Sequence, residues 1–342
     1  MRLHNPFSRS SRSNELPSTK IEPTLAPYGM VPLAEGSGSI VADLVFIHGV
    51  TGNRIKTWKA PDAAGPWPSE LLAKDIANVR ILAWGYDADI VNLMTPAGQN
   101  RIGNHARDLL TDLESNRIND IDRPIIFVVH SLGGLVVEDA ICISRSSPKS
   151  EQGIVKIEEC TQGILFMGTP QCGSDASKLA AVAAGFANYF RTTNKSIINL
   201  FDPKSEVLAR VQASFHERIR SRSEDEHRPM RLFVFYEDRE MVVLGKSFMI
   251  VPKESAIING YGHASLPADH STMTKFASKS DPGYERVKNK LLAWTRQFEE
   301  PISKPIAAAD ATRRHWDVGG SSFSGTIQAG GNVQQIGNIF QS

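Results

Sequence analysis

Cysteine is scarce in this 342-residue sequence, and neither sign of charge is in excess. The three cysteines, Cys142, Cys160 and Cys172, form neither a CxxC pair nor the closely spaced set of a disulfide framework. They exclude a disulfide-stapled module and favour a reducing compartment. Lysine and arginine number 38 against 37 acidic residues, a net charge of +1. This balance excludes a dedicated nucleic-acid binder, so we expect no nucleic-acid partner.

Long apolar runs are missing as well. The longest, residues 179–190, is shorter than the roughly 20 residues that cross a bilayer, and Gly185 and Asn188 interrupt it. The first residues, MRLHNPFSRSSRSN, lack the apolar core of a secretory signal peptide. Their Arg- and Ser-rich composition leaves a mitochondrial transit peptide as the alternative to plain disorder. We expect a cytoplasmic protein, and membrane association stays open.

The sequence divides into zones of different composition. Residues 1–38 are polar and rich in Pro, Ser and Gly, which predicts a disordered segment. Residues 39–299 alternate strand-like apolar runs with helical patterns, which is typical of an α/β domain. Residues 300–317 are predicted to be a linker, and residues 318–342 form an uncharged tail rich in Gly, Asn and Gln.

Several apolar runs in the middle zone predict strands of a mostly parallel, doubly wound sheet with helices on both faces. Helical spacing of apolar residues predicts helices over 101–118 and 283–298. The helix-rich interval 173–228 is longer than an ordinary crossover, and it predicts a helical cap over one end of the sheet. The predicted strands are 42–48, 80–84, 125–130, 163–167, 230–236 and 248–251.

One segment joins a buried strand directly to a helix through the residues HSLGG, 130–134. A serine between small residues at such a junction is the pattern of a nucleophile elbow. Gly133 and Gly134 let the helix approach the strand, so that Ser131 projects its hydroxyl from the carboxyl end of the sheet. Val129 stands where the usual G-x-S-x-G pattern has its first glycine. An ordinary serine in a strand-to-helix turn is the alternative.

Acyl transfer to a serine creates an oxyanion that needs hydrogen-bond donors. The segment DLVFIHGVTGN ends a strand in a tight, glycine-containing turn. A backbone N–H of such an early loop joins the N–H of the residue after the nucleophile, which predicts Val50 and Leu132 as the donors. His48 and Gly49 are expected to shape the loop, and His130 to support the elbow.

A serine also needs a base, and the expected chain order is serine, acid, histidine. His263 and His270 follow the last predicted strand, and we favour His270 because it lies in a polar turn before an apolar helix start. Among the acids, Glu237 directly follows an apolar strand, and Asp238 is the reserve. Asp269 is a further candidate, although neighbouring side chains in a turn usually diverge.

The motifs FIHGVTGN, TWK, WGYDAD, HSLGG, GTPQCGS, FYED and ADHSTMTKF follow one another in this order. With them, residues 42–298 resemble the serine-active-site-containing protein family, which are α/β-hydrolases of the lipase/esterase type. The resemblance implies an α/β-hydrolase fold with Ser131 as nucleophile, His270 as base and the FYED carboxylate, most naturally Glu237. It also implies a carboxylic ester as substrate, lipid-like and often at a membrane. No metal or organic cofactor is expected.

The tail from Val318 to Ser342 contains no charged residue and no proline. Its uncharged β-branched and amide-bearing pieces suit cross-β stacking, and a flexible polar tail is the alternative. The tail resembles the sigma-type amyloid signalling motif of fungal incompatibility proteins. That resemblance implies homotypic assembly, a NOD-like receptor partner with a matching motif, and a lipase-like cell-death effector.

Two functions are therefore predicted. The first is a serine esterase of one α/β domain with a signalling tail. The second is a hydrolase-like scaffold with little activity, which acts through tail-driven assembly and membrane contact.

Overall fold

Among the described residues, seven strands form the central sheet, in the order β1-β3-β2-β4-β5-β6-β9. β1 runs antiparallel to β3, and the other pairings in this sheet are parallel. The computed structural model describes residues 27–88, 99–189, 206–224, 226 and 228–299, and the backbone of 316–318 and 321–323. The strands of the sheet are β1 Gly29–Ala34, β2 Ala42–Ile47, β3 Val79–Gly85, β4 Ile125–His130, β5 Thr161–Met167, β6 Arg231–Glu237 and β9 Gly262–Leu266.

Helices and short helical turns cover both faces of the sheet and enclose two apolar cores. The labelled helices are α1 Ala73–Asp75, α2 Gln99–Asn116, α3 Gly133–Ser146, α4 Gln152–Cys160, α5 Ala176–Tyr189, α6 Glu206–Glu224, α7 Lys253–Ala256 and α8 Pro282–Thr295. Helices α2 to α6 contribute to one core, and α8 contributes to the other with Trp58 and Trp67. The predicted mostly parallel, doubly wound sheet is confirmed.

The buried strand β2 shows why the central strands have continuous apolar sequences. Val45 and Ile47 lie in one core, whereas Leu44 and Phe46 lie in the other. Successive side chains of a strand point to opposite faces, so a strand covered on both sides needs an apolar residue at every position. The predicted central strands therefore match the observed ones within two residues at each end.

Both edges of the sheet differ from the prediction. Residues 29–34 fall in the segment predicted to be disordered, but they form β1 against β3. At the other edge, residues 248–251 are not a strand of the sheet, because β8 Lys246–Phe248 pairs only with β7 Met241–Val243 in a small hairpin. The edge position belongs to β9, whose Gly262 and His263 are exposed. An edge strand buries less surface and lacks the apolar run that reveals a central strand.

The predicted cap over 173–228 contains two helices of different kinds. In α6, Arg222 donates hydrogen bonds to the carbonyl oxygens of Glu158 and Thr161, at the amino end of β5. This places α6 along the face of the sheet as a crossover helix. Among the described residues, only α5 remains as a cap helix, and one side of it is buried, with Leu179, Val182 and Phe186 among its buried residues.

Other sequence predictions concern segments beyond the sheet. Residues 1–26, where a transit peptide was the alternative, and 324–342, most of the candidate amyloid motif, lie outside the described residues. Backbone at the junction of the predicted linker and the tail forms a short hairpin between β10 Trp316–Val318 and β11 Ser321–Phe323. The cysteines are free thiols. Among the described helices, none has both the length and the apolar character that a membrane crossing requires.

Candidate active site

Ser131 occupies the sharp turn between the end of β4 and the start of α3. Its φ of 52° lies in the left-handed region, which is strained for a residue with a side chain. The Ser131 N–H donates to the Met167 carbonyl on the neighbouring strand, at 2.9 Å. The turn is thereby tied to the carboxyl end of β5, and a strained serine in this position fits a nucleophile elbow.

Glycines allow three chain segments to approach one another around the serine. A Cβ on Gly49 would lie 2.6 Å from the Cβ of Ser131, and one on Gly133 would lie 2.4 Å from the His48 carbonyl oxygen. A Cβ on Gly134 would meet the Thr169 side chain at 2.4 Å. Side chains at these positions would therefore force the loop, the elbow and the helix apart.

His270 lies directly over the serine, in the turn that follows β9. Its Nε2 is 3.0 Å from the Ser131 Oγ, within hydrogen-bond distance. Its Nδ1 is 3.5 Å from Oε2 of Glu237, the last residue of β6. Strands β4, β6 and β9 are parallel, so their carboxyl ends lie at the same end of the sheet. Three residues remote in sequence thus meet at the carboxyl ends of the strands.

A backbone amide holds the second carboxylate oxygen of Glu237 in place. Oε1 accepts a hydrogen bond from the Val251 N–H at 2.6 Å. Oε2 of Glu237 and Nδ1 of His270 are both buried and have no hydrogen-bond partner at normal length within the described chain. The acceptor Oε2 and the ring nitrogen Nδ1 therefore face each other across 3.5 Å. Such a long contact is compatible with a catalytic pair, because catalytic hydrogen bonds are often long before substrate binds.

The other candidate acids and the other candidate histidine lie elsewhere. Asp238 is exposed beyond the end of β6. Asp269 uses Oδ1 to accept the N–H groups of Ser271 and Thr272, which forms the turn that carries His270. His263 is exposed within β9, where its ring contacts Tyr236. The structure therefore brings Glu237, and not these residues, to the imidazole.

The predicted oxyanion donors flank the serine. Gly49 contacts Ser131, and Val50 follows it. The next amides in the loop are engaged, since Thr51 N–H donates to Ala88 and Gly52 N–H to Gly49. Across the described residues, no hydrogen bond is donated by the N–H of Val50 or of Leu132. Within the described part of the chain, both amides are therefore available to bind a developing negative charge.

His48 is committed to the loop that carries Val50. Its Nδ1 lies 2.9 Å from the Gly49 carbonyl oxygen, and its Nε2 accepts the Tyr86 N–H at 3.4 Å. The ring also stacks on the Tyr86 ring at 4.7 Å. Burial lowers the pKa of His48 to about 4, so the ring is neutral and its proton stays on Nδ1.

His130 makes a contact that no sequence signal revealed. Its Nε2 lies 3.0 Å from the carbonyl oxygen of His270. Burial lowers the pKa of His130 well below its usual value, so the neutral ring donates its Nε2 proton to that carbonyl. The residue before the nucleophile thus positions the turn of the base, 140 residues away in sequence. Only the fold makes the two neighbours.

Two further contacts fix the imidazole from the sides. Gly168 has a φ of 60°, and a Cβ there would lie 3.0 Å from the His270 ring. Phe186 of α5 meets the same ring edge-on at 5.9 Å between centroids.

Ser131 and His270 are only 2% and 5% exposed. Among the described residues, no group of His, Cys, Asp and Glu is arranged to hold a metal ion.

The sheet order and the serine–imidazole–carboxylate arrangement at its carboxyl edge define the class: the chain has the α/β-hydrolase fold. No family model matches it. Protein SERAC1 of Mus musculus is 30% identical over 164 residues, covering 43% of this chain and 24% of that protein. Protein SERAC1 of Homo sapiens is 29% identical over the same shares. The chain therefore spans about a quarter of the length of these curated relatives.

Solved structures include a similar lipase. Bacillus licheniformis lipase BlEst2 in mature form has 13% identity and a TM-score of 0.48, covering 77% of this chain and 99% of that chain.

Proposed function

We propose that the protein is a serine hydrolase that cleaves carboxylic esters, lipid-like ones among them, with Ser131 as nucleophile. The observation that carries the proposal is the 3.0 Å contact between the Ser131 Oγ and Nε2 of His270. A strained serine within hydrogen-bond distance of an imidazole, which in turn faces a buried carboxylate, is the arrangement that activates a hydroxyl.

In the proposed reaction, the Ser131 Oγ attacks the ester carbonyl carbon while Nε2 of His270 takes the hydroxyl proton. The N–H groups of Val50 and Leu132 donate to the oxyanion of the tetrahedral intermediate. The intermediate collapses as His270 returns the proton to the leaving alcohol, which leaves an acyl group on Ser131. Water then loses a proton to His270 and attacks the acyl carbon, which releases the acid and restores the serine.

Glu237 acts through the imidazole in this proposal. Its Oε2 faces Nδ1 of His270 at 3.5 Å and would stabilise the ring when it carries two protons. Val251 holds the other carboxylate oxygen, so the carboxylate stays aligned during turnover. Asp238 is the reserve acid only if Glu237 proves dispensable.

Access to the serine requires a movement in the covering layer. Ser131 is 2% exposed, so an ester reaches Oγ only when a neighbouring group shifts. Phe186 of α5 belongs to this covering layer, since its ring lies against the His270 ring. The buried apolar side of α5 would then contact the acyl chain of the substrate.

A fluorophosphonate probe tests the proposal directly, because it labels only an activated serine. We expect labelling of the wild-type chain and of Ser146→Ala, a matched control at an exposed serine on α3. We expect none in Ser131→Ala. Equal labelling of Ser131→Ala would refute the proposal, as would a folded wild-type chain that hydrolyses no short-chain ester.

We further propose that the chain is a fungal cell-death effector located in the cytoplasm and in contact with a membrane. The tail sequence supports the effector role. Assembly of residues 318–342, templated by a NOD-like receptor with a matching motif, would switch it on. If the enzyme drives toxicity, Ser131→Ala abolishes it. If the scaffold function is correct, toxicity survives that change but not deletion of 318–342. A soluble 318–342 peptide with no thioflavin response would remove the assembly proposal.

A further inference from the structure

A cavity of about 400 Å³ lies between α5, α6 and the segment before β9. Its wall includes Lys178 of α5, His216 and Arg220 of α6, and Asn259 and Tyr261. None of the residues proposed for catalysis lines it. Its volume is within the range of small-molecule sites, which is roughly 300–1,000 Å³. The cavity is therefore a candidate site separate from the serine.

The charged part of this wall has one sign. None of the described residues that line the cavity is an aspartate or a glutamate. Lys178 and Arg220 form no salt bridge with any described residue. Asp175 attracts Lys178, but it is exposed, and its Oδ1 accepts hydrogen bonds from Ser177 and from the Lys178 N–H at the start of α5. Two permanent positive charges thus face the cavity, and no described carboxylate lines it or forms a salt bridge with them.

The remaining wall strengthens the attraction for an anion. Ile219, Ile257 and Ile258 supply an apolar surface, and a low-dielectric wall focuses the field of nearby charges. A guanidinium, an ammonium and the phenol of Tyr261 together offer donors that suit the oxygens of a phosphate group. The three isoleucines add room for an apolar substituent on that phosphate.

Two elements connect the cavity with the serine site. The loop after β5 places Gly168 against the His270 ring, and five residues later Gly173 lines the cavity. Helix α5 places Lys178 at the cavity and Phe186 against the same ring. A ligand in the cavity would therefore contact the two elements that enclose the imidazole.

We propose that this cavity binds the phosphate group of a compound that also carries an apolar part. The group belongs either to a lipid headgroup or to a soluble phosphate compound. In both cases Lys178 and Arg220 contribute the charge that holds it.

Calorimetric titration of the full chain at low ionic strength tests the proposal with two probes, inorganic phosphate and dihexanoyl phosphatidic acid. We expect saturable binding that weakens about 10-fold or more in Arg220→Met and, independently, in Lys178→Met. The control Lys149→Met removes an exposed charge outside the cavity and should change nothing. Phosphatidic acid should bind more tightly than phosphate, because only phosphatidic acid carries an apolar part, and equal affinities would overturn that part of the proposal. Co-sedimentation of the chain with phosphatidic acid vesicles would assign a lipid headgroup, and binding of the short-chain compound without co-sedimentation would assign a soluble compound.

Absence of saturable binding by both probes would overturn the proposal, as would an equal loss in Lys149→Met. The same titration of Ser131→Ala should give the wild-type affinity. Binding therefore remains measurable even if the chain proves to hydrolyse no ester.

Discussion

The two ends of the parallel strands treat buried polar groups in opposite ways. At the carboxyl end, Ser131 is strained, Glu237 and His270 meet at 3.5 Å, and the amides of Val50 and Leu132 have no acceptor in the described chain. At the amino end, the fully buried Asp43 is surrounded by guanidinium groups. One end leaves hydrogen-bonding capacity for a substrate, and the other uses it for stability.

The amino end shows how complete the pairing is. Arg80 donates to both oxygens of Asp43 at 2.9 Å, and Arg123 donates to Oδ1 at 3.1 Å. Arg117 contacts Oδ2 and also donates to the carbonyl oxygen of Ile121. A buried carboxylate with this many donors is stable only while all of them are present. If the proposed function is correct, activity and stability depend on different residues of the same sheet.

The largest expected effect is on activity at the carboxyl end. Ser131→Ala should lower ester hydrolysis by about 10⁴-fold or more, because the nucleophile is gone. The free energy of unfolding should change by less than about 1 kcal/mol. Hydrolysis of p-nitrophenyl butyrate and urea unfolding measure the two quantities. A large loss of stability in Ser131→Ala would contradict the assignment of activity to the carboxyl end and of stability to the amino end.

The counterpart at the amino end is Asp43→Ala. Removal of Asp43 leaves the guanidinium groups of Arg80 and Arg117 without their counter-charge, so the free energy of unfolding should fall by about 3–5 kcal/mol. The activity of the folded fraction should stay at the wild-type level. Urea unfolding checks the stability, and Asp62→Ala, at an exposed aspartate, is the control that should change little. An unaffected stability would mean that this cluster is not structural.

Glu237→Gln keeps the shape of the acid but removes its charge. We expect kcat to fall by about 10²–10³-fold, since the doubly protonated imidazole loses its stabilising partner. Asp238→Asn should leave kcat nearly unchanged, because Asp238 is exposed. Steady-state kinetics of both variants decides between the two acids, and a larger effect at Asp238 would reverse the assignment.

A buried acid on α3 predicts a pH effect on stability. Glu138 accepts a hydrogen bond from Gln171 at 2.6 Å, and burial raises its pKa from 4.5 to about 8. Between these values the native state keeps a proton that the unfolded chain releases, so this group makes stability fall as pH rises from about 4.5 to about 8. Urea unfolding at pH 5 and pH 9 should show a smaller fall in the free energy of unfolding for Glu138→Gln than for the wild-type chain. Identical slopes would contradict the prediction.

The smallest expected effect is on stability, and it comes from backbone strain at Ser131. Ser131→Gly and Ser131→Ala both lack the hydroxyl, but only alanine keeps a Cβ at a φ of 52°. Glycine tolerates this conformation, so the glycine variant should be more stable by about 1 kcal/mol. Thermal unfolding of the pair measures the difference, and equal stabilities would show that the elbow stores no strain.

Local patterns in the sequence determined the core of the fold and the elbow. Continuous apolar runs indicated the central strands, because a strand covered on both faces has an apolar residue at each position. The residues HSLGG indicated the turn, because only small residues allow a helix so close to its strand. These are properties of neighbouring residues, so no tertiary information was needed.

The tertiary structure alone decided the rest. The edge strands β1 and β9 form because a neighbouring strand offers free hydrogen bonds, which their own sequences do not reveal. The sequence already favoured Glu237 over Asp238, but the 3.5 Å contact of Glu237 with His270 depends on how β6 lies beside β9. The bond from His130 to the turn of His270 has the same origin. Distances between residues remote in sequence are set by packing of the whole sheet, and local composition carries no record of them.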